Sequence, residues 1–250
     1  MNLIEIVNKY QNEILDKSIL VEYGLFFNEV AENRCKFVID ELEELEELNC
    51  VIRKIVVEDK NEYKEEYTID FNKLKEQNKE TVAWIKVNNT NIEYPVVKAN
   101  NNNFYLNHSF DKSENLAGWI FADYRNKFDN TDKNIIIYGH NMRDGSMFGS
   151  LKNILNSDWY ENEENTNITL YTENEKCIYK VFSIYKIESE DYYIKTEFSN
   201  DNEFEQFVNT IKNRSIKKFD IDVSKEDNIL TLSTCANNNR YRIVLHAKKM

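Results

Sequence analysis

The sequence predicts a mainly β protein of the α+β class: a closed antiparallel barrel of about eight strands, with short inserted helices and a helical N-terminal region. Three observations carry this. Short runs of β-branched and aromatic residues recur from residue 83 to 245, separated by Asn-rich turns. Apolar residues at helical spacing are concentrated in the first 50 residues, where Leu3, Ile6, Val7, Tyr10 and Ile14 are followed by Val30, Phe37, Val38, Leu42, Leu45 and Leu48. The whole chain of 250 residues holds only one Pro and five Gly, which excludes collagenous and flexible-linker classes.

Along the chain, the stretch Asp40-Glu-Leu-Glu-Glu-Leu-Glu-Glu-Leu-Asn49 repeats Leu every third residue among glutamates. It reads as a solvated helix face, with an acidic partner site as the alternative. Residues 58–66 read as a polar link. Asp70 is placed to cap a helix over residues 71–78. Strands are expected at 83–87, 93–97, 118–121, 134–138, 168–171, 177–185, 228–234 and 242–245, and helices near 147–155 and 203–213. The Asn clusters at 88–91, 100–103 and 237–239 are turn chemistry, because Asn tolerates left-handed backbone and bonds locally. The chain thus divides into an N-terminal helical appendage and link, residues 1–66, and a barrel domain, residues 67–250.

Charge narrows the function. Lys and Arg total 32 against 44 Asp and Glu, a formal charge of −12, which argues against a surface made for nucleic acid or anionic lipid. No apolar stretch is long enough to span a membrane or to serve as a signal peptide. By itself the chain reads as soluble. Cys35, Cys50, Cys177 and Cys235 form no CxxC pair and no metal-ligand spacing with the three histidines. Cys35 and Cys50 read as small apolar residues of the helical region.

Two residues stand where chemistry could be presented. His140 ends the apolar run Ile135-Ile-Ile-Tyr-Gly-His140, just past a glycine, and Cys235 ends Ile229-Leu-Thr-Leu-Ser-Thr-Cys235 before a polar turn. Thr231, Ser233 and Cys235 share one strand face; Leu230 and Leu232 share the other. Each has a plain structural alternative, a hydrogen-bonded histidine and a buried small hydrophobe. His108 lies in a polar loop and His246 in a strand. Arg240 and Arg242 follow Cys235 closely, and a hairpin would return Arg242 to the thiol. Thiol, imidazole and guanidinium together suit acyl transfer: attack by thiolate, protonation of the leaving amine, and a fixed cation for the oxyanion.

These residues lie in segments that resemble the sortases, cysteine transpeptidases of Gram-positive cell surfaces. Thr231-Leu-Ser-Thr-Cys235 with Arg242-Ile-Val244 is similar to the family's TLxTC…R signature, and Ile137-Tyr-Gly-His-Asn-Met-Arg-Asp-Gly-Ser-Met-Phe-Gly-Ser-Leu151 resembles class B in particular. Further class B matches are Trp84 to Val97, Phe104-Tyr-Leu-Asn107, Gly118-Trp-Ile-Phe-Ala-Asp-Tyr-Arg-Asn126 and Asp191-Tyr-Tyr-Ile-Lys-Thr196. The resemblance runs from about residue 71 to the C terminus.

It implies a sortase-type barrel with Cys235 as nucleophile, His140 as general acid and base, and Arg242 as the carbonyl and oxyanion stabiliser. Arg240 is the rival for that last role. Leu106, Tyr193, Ile194, Ser233 and Thr234 would line the groove for the sorting-signal pentapeptide. The implied reaction cuts an NPQTN-like or (N/S)PxT(G/N) signal after Thr, leaves a thioacyl enzyme, and transfers the surface protein to an amine of a cell-wall precursor or pilin. No cofactor or metal is implied. The implied location is the outer face of a Gram-positive cell membrane, with membrane contact only through an anchor that this chain does not contain. Two other readings accompany this one: a cysteine peptidase that uses water as acceptor, and a catalytically idle surface-binding or assembly module with the same fold.

Overall fold

The computed structural model describes residues 53–58, 62–236 and 240–250, and side chains over 68–234 and 240–250. The chain divides into two compact units, Met1–Asp70 and Phe71–Met250. The expected N-terminal helices, Cys35, Cys50 and the turn at 237–239 lie outside the described residues. Within the first unit, β1 (Arg53–Glu58) and β2 (Glu62–Tyr67) form an antiparallel hairpin. Within the stretch expected as a link, Glu58 ends β1 and residues 62–66 lie in β2. The hairpin's register sets Glu66 across from Lys54, Tyr63 across from Val57 and Glu62 across from Glu58.

The second unit begins with α1 (Phe71–Gln77), followed by β3 (Thr81–Val87), β4 (Glu93–Val97), β5 (Phe121–Ala122) and β6 (Asn134–Gly139). After a 3₁₀ segment Gly149–Leu155 and the short α2 (Ser157–Tyr160) come β7 (Asn167–Tyr171), β8 (Lys176–Glu188), α3 (Asp201–Asn213), β9 (Ile229–Ala236) and β10 (Tyr241–Lys249). The eight strands β3 to β10 close into a barrel in the order β10-β8-β7-β3-β4-β5-β6-β9. Alternation builds its interior: in β3 Ala83, Ile85 and Val87 face inward, and in β9 Leu230 and Leu232 do the same.

The closed eight-strand barrel is as expected, but two of its pairings are not antiparallel. β4 pairs with β5 and β6 pairs with β9 in parallel. A parallel pair cannot be joined by a tight turn. Here the chain takes residues 98–120 between the first two strands, and travels through β7, β8 and α3 between the second two. The run 118–121 forms a strand only at Phe121–Ala122, because Gly118 takes a positive φ of 58° and Trp119 donates its backbone N–H to Tyr105 O instead. The stretch 147–155 is 3₁₀ from Gly149 onward, since Met147 has a positive φ of 51° that an α-helix cannot contain.

Strands β8, β9 and β10 are buried on both faces where α3 covers them. That helix starts at Asn200, whose side chain accepts from Glu203 N–H, and its buried residues Phe204, Phe207, Val208 and Ile211 fall on one face at helical spacing. They pack with Phe182, Tyr185, Tyr193, Ile229 and Val244 into a second apolar cluster outside the barrel. No helix among the described residues is long and apolar enough to cross a membrane.

His246, wholly buried on β10 beneath this layer, bridges Thr231 Oγ1 at 2.9 Å and the Tyr185 hydroxyl at 2.8 Å. Burial pushes its pKa down to about 3, against about 6.5 in an unfolded chain. The unfolded chain therefore takes up the proton first as pH falls, and the folded state loses stability from about pH 6.5 downward. We expect thermal unfolding to shift down by roughly 2–4 °C per kcal/mol lost, at most about 1.4 kcal/mol per pH unit. Between about pH 6.5 and 5, above the range of carboxylates such as Asp123, the slope should flatten in His246→Gln. An unchanged slope would assign the acid sensitivity to other groups.

Candidate active site

The site is built where β6 and β9 end together. Their parallel register pairs Tyr138 with Ser233 and Gly139 with Thr234, so His140 and Cys235 are the residues that directly follow the last registered pair on the two strands. On its other edge β9 pairs antiparallel with β10, and Cys235 stands across from Arg242. In backbone register, Cys235 lies between the imidazole-bearing and guanidinium-bearing positions.

His140 is half-buried, and its place is set by backbone. Its carbonyl accepts from Met142 N–H at 3.1 Å and from Phe148 N–H at 2.9 Å. Its ring Nε2 meets the carbonyl oxygen of Leu106 at 2.7 Å, so that carbonyl holds the ring's orientation and accepts the proton that Nε2 carries. Two glycines make this approach possible. At Gly139 a Cβ would stand 2.5 Å from Ile120 Cδ1 and 2.7 Å from the Phe148 ring. At Gly118 it would stand 2.4 Å from Tyr105 O and 2.8 Å from Leu106 O.

A cavity of about 260 Å³ opens beside this strand end. It is lined by His140 and Arg242 together with Leu106, Tyr193, Ile194, Ser233 and Thr234, and also by Asn102, Phe121, Tyr138 and Gly139. Much of its polar lining is tied internally: the Tyr193 hydroxyl meets Ser233 Oγ at 2.9 Å, and Thr234 Oγ1 donates to Gly139 O at 2.6 Å. Arg240 is not among the lining residues. Its side chain is 72% exposed, 3.8 Å from the Glu188 carboxylate, and its guanidinium lies over the Tyr241 ring at 5.4 Å. Of the other histidines, His108 stacks on Phe104 at 4.0 Å and contacts Phe104 O at 2.8 Å, and His246 is sealed beneath α3.

Sequence reasoning missed the floor of the cavity. Asn102 belongs to an Asn cluster that reads as turn chemistry, yet its Nδ2 donates to Asp123 Oδ2 at 2.9 Å and its Oδ1 accepts from Tyr124 N–H at 3.0 Å. The Tyr138 hydroxyl donates to the same Asp123 oxygen at 2.8 Å. Asp123 is wholly buried. Burial alone would raise its pKa, but hydrogen bonds from Arg125, Asn102 and Tyr138 hold it below the usual carboxylate range. Burial, and then the Asp123 charge, push the Tyr138 phenol well above its ordinary value. The signal available in the sequence was an Asp and an Arg two residues apart directly after an apolar strand, a pattern that suits a buried ion pair.

The profile of the Sortase domain matches residues 85–250. Sortase B of Listeria monocytogenes is 38% identical over 180 residues, covering 70% of this chain and 72% of that protein. Sortase B of Clostridium perfringens superimposes with a TM-score of 0.68 at 39% identity, covering 72% of this chain and 100% of that structure. A sortase B complexed with triglycine does so with a TM-score of 0.68 at 37% identity, covering 72% of this chain and 85% of that structure. On the domain match, the identity over most of its length and the shared barrel, the chain belongs to the sortase family, class B, and is a cysteine transpeptidase.

Proposed function

We propose that Cys235, His140 and Arg242 carry the transpeptidase reaction in the cavity at the end of β6 and β9. The observation that supports this best is the register: Gly139 pairs with Thr234, the residues just before His140 and Cys235, and Cys235 stands across from Arg242. In the proposed sequence, the Cys235 thiolate attacks the carbonyl carbon of the signal's Thr, and Arg242 donates to the oxyanion that forms. His140, as imidazolium, protonates the departing amine as the peptide C–N bond breaks, leaving a thioacyl enzyme and neutral imidazole. An incoming amine then attacks the thioester, His140 takes its proton, and the thiolate departs. Leu106, Tyr193, Ile194, Ser233 and Thr234 form the groove that receives the signal.

The substrate is a surface protein with a C-terminal NPQTN-like or (N/S)PxT(G/N) signal, and the acceptor is an amine of a cell-wall precursor or pilin. The triglycine carried by the sortase B neighbour supports a small primary-amine acceptor. The place of action is the outer face of a Gram-positive membrane, where substrate and acceptor meet.

A fluorogenic NPQTN-type peptide, incubated with and without triglycine or a lysine-like amine and analysed by mass spectrometry, tests this reading. Ligated product is expected; hydrolysed peptide alone would assign water as acceptor, and no cleavage would make the module idle. Cys235→Ala should abolish turnover with thermal stability within a few degrees of the parent, since it removes one sulfur at a strand end; full activity would end the nucleophile assignment.

Arg242→Ala should lower kcat by about 10²–10³, the usual cost of losing an oxyanion donor, and Arg240→Ala should fall within a few-fold of the parent. The reverse order would move the role to Arg240. At Gly118, φ is +58° and a Cβ would press on the carbonyl that orients His140. Gly118→Ala should therefore cost about 1–3 kcal/mol of stability and lower kcat in the surviving folded protein. An unimpaired kcat would show that the Leu106 carbonyl does not orient the ring.

A further inference from the structure

The cavity has one wall on the connection between β8 and α3, where Tyr193 and Ile194 stand. This connection has no sheet partner along residues 191–198 and is held to the barrel by side chains. Lys195 O accepts from Asn134 Nδ2 at 2.9 Å, and the Lys195 ammonium pairs with Glu203 on α3. Ile194 O accepts from Arg125 Nη2 at 3.2 Å.

Arg125 reaches that carbonyl from a fixed base. Its Nε donates to Asp123 Oδ1 and its Nη2 to Asp123 Oδ2, both at 2.8 Å, a two-pronged contact with a buried carboxylate. Asp123 also holds Asn102 and Tyr138 by their donors, as described above. One carboxylate and one guanidinium thus touch the floor of the cavity at two residues and its wall at a third, while neither lines the cavity.

We propose that Asp123 and Arg125 are positioning residues that set the width of the groove, joining the Ile194 wall to the Asn102 and Tyr138 floor. The proposal rests on the reading of this cavity as the sorting-signal groove. An arginine is needed because its planar fork can grip both carboxylate oxygens and still offer a proton to the carbonyl; a lysine presents a single compact ammonium. Removing the Arg125 contact releases the tie at Ile194 while the neighbouring ties at Tyr193 and Lys195 remain, and Arg125 makes no contact with His140 or Arg242 among the described side chains. Its effect should therefore fall on peptide binding more than on the chemical step.

The test compares the full chain with Arg125→Lys and Arg125→Ala. Arg125→Lys keeps a cation against the buried Asp123 and guards against loss of folding, which Arg125→Ala risks by leaving that carboxylate without its ion pair. Three quantities are measured: KM and kcat with the NPQTN-type peptide, the rate of Cys235 alkylation by iodoacetamide, and the unfolding temperature. In Arg125→Lys we expect KM to rise about tenfold, within the range that a small misplacement of a positioning group produces. kcat should stay within about twofold and the alkylation rate should be unchanged, because binding is lost while the reacting groups stay in place.

A KM equal to that of the parent would overturn the proposal, and so would equal losses in kcat and kcat/KM, which would place Arg125 in the chemistry. A falling unfolding temperature with lower apparent kcat and constant KM would reduce the pair to a structural ion pair and overturn it too. Failure of the underlying reading has a different signature: the parent protein itself turns over no sorting peptide, and the positioning role falls with the groove.

Discussion

The parallel pairing of β6 with β9 is the constraint on which the rest of the site depends. In an antiparallel pair, the end of one strand lies beside the beginning of the other, so two residues that each terminate a strand are held at opposite ends of the sheet. In a parallel pair the two C-terminal ends coincide. β6 delivers His140 and β9 delivers Cys235 to the same rim of the barrel, and the β9–β10 hairpin returns Arg242 to it. Three chemically different residues thus stand at one rim of the barrel on three strands.

Everything around that rim serves to hold it still. Inside the barrel the packing is apolar, with Ile120 and Phe148 pressed so close to Gly139 that no larger residue fits between them. Along β9, polar groups are used as ties: Thr231 joins His246 and Asn134, Ser233 joins Tyr193, and Thr234 joins the Gly139 carbonyl. Buried hydrogen bonds of this kind specify one arrangement because each leaves a costly unpaired group if it is broken. The same logic applies to Asp123, whose carboxylate gathers donors from three side chains into one fixed knot.

Much of the architecture was legible in order along the chain. Glu93–Val97 was expected at the bounds observed, and the other long strands differ by a few residues at their ends, because a half-buried strand repeats every second residue and the β-branched runs mark that repeat. The helix over the second apolar cluster was legible because Phe204, Phe207, Val208 and Ile211 repeat at helical spacing. The helix expected near 147–155 is found as a 3₁₀ helix from Gly149 to Leu155; it begins two residues late because Met147 sits at positive φ and Gly149 packs against Met142. Asn102 was passed over because an Asn among Asn residues carries a strong local turn signal, whereas its use depends on Asp123 and Tyr124, about twenty residues further on.

Sequence alone therefore settled the class of fold, the number of barrel strands and the family, since those follow from local periodicity and from motifs read in order. The tertiary structure alone decided which strands pair in parallel, that Arg242 and not Arg240 lines the cavity, and that Asn102 and Tyr138 line it while bonded to the buried Asp123. The physical reason is range. A strand's tendency to form is written in its own few residues, but the partner it takes depends on segments far away in the chain, and the direction of the pairing is set by the path between them. A cavity wall belongs wholly to that second kind of information, because it exists only where remote segments have already met.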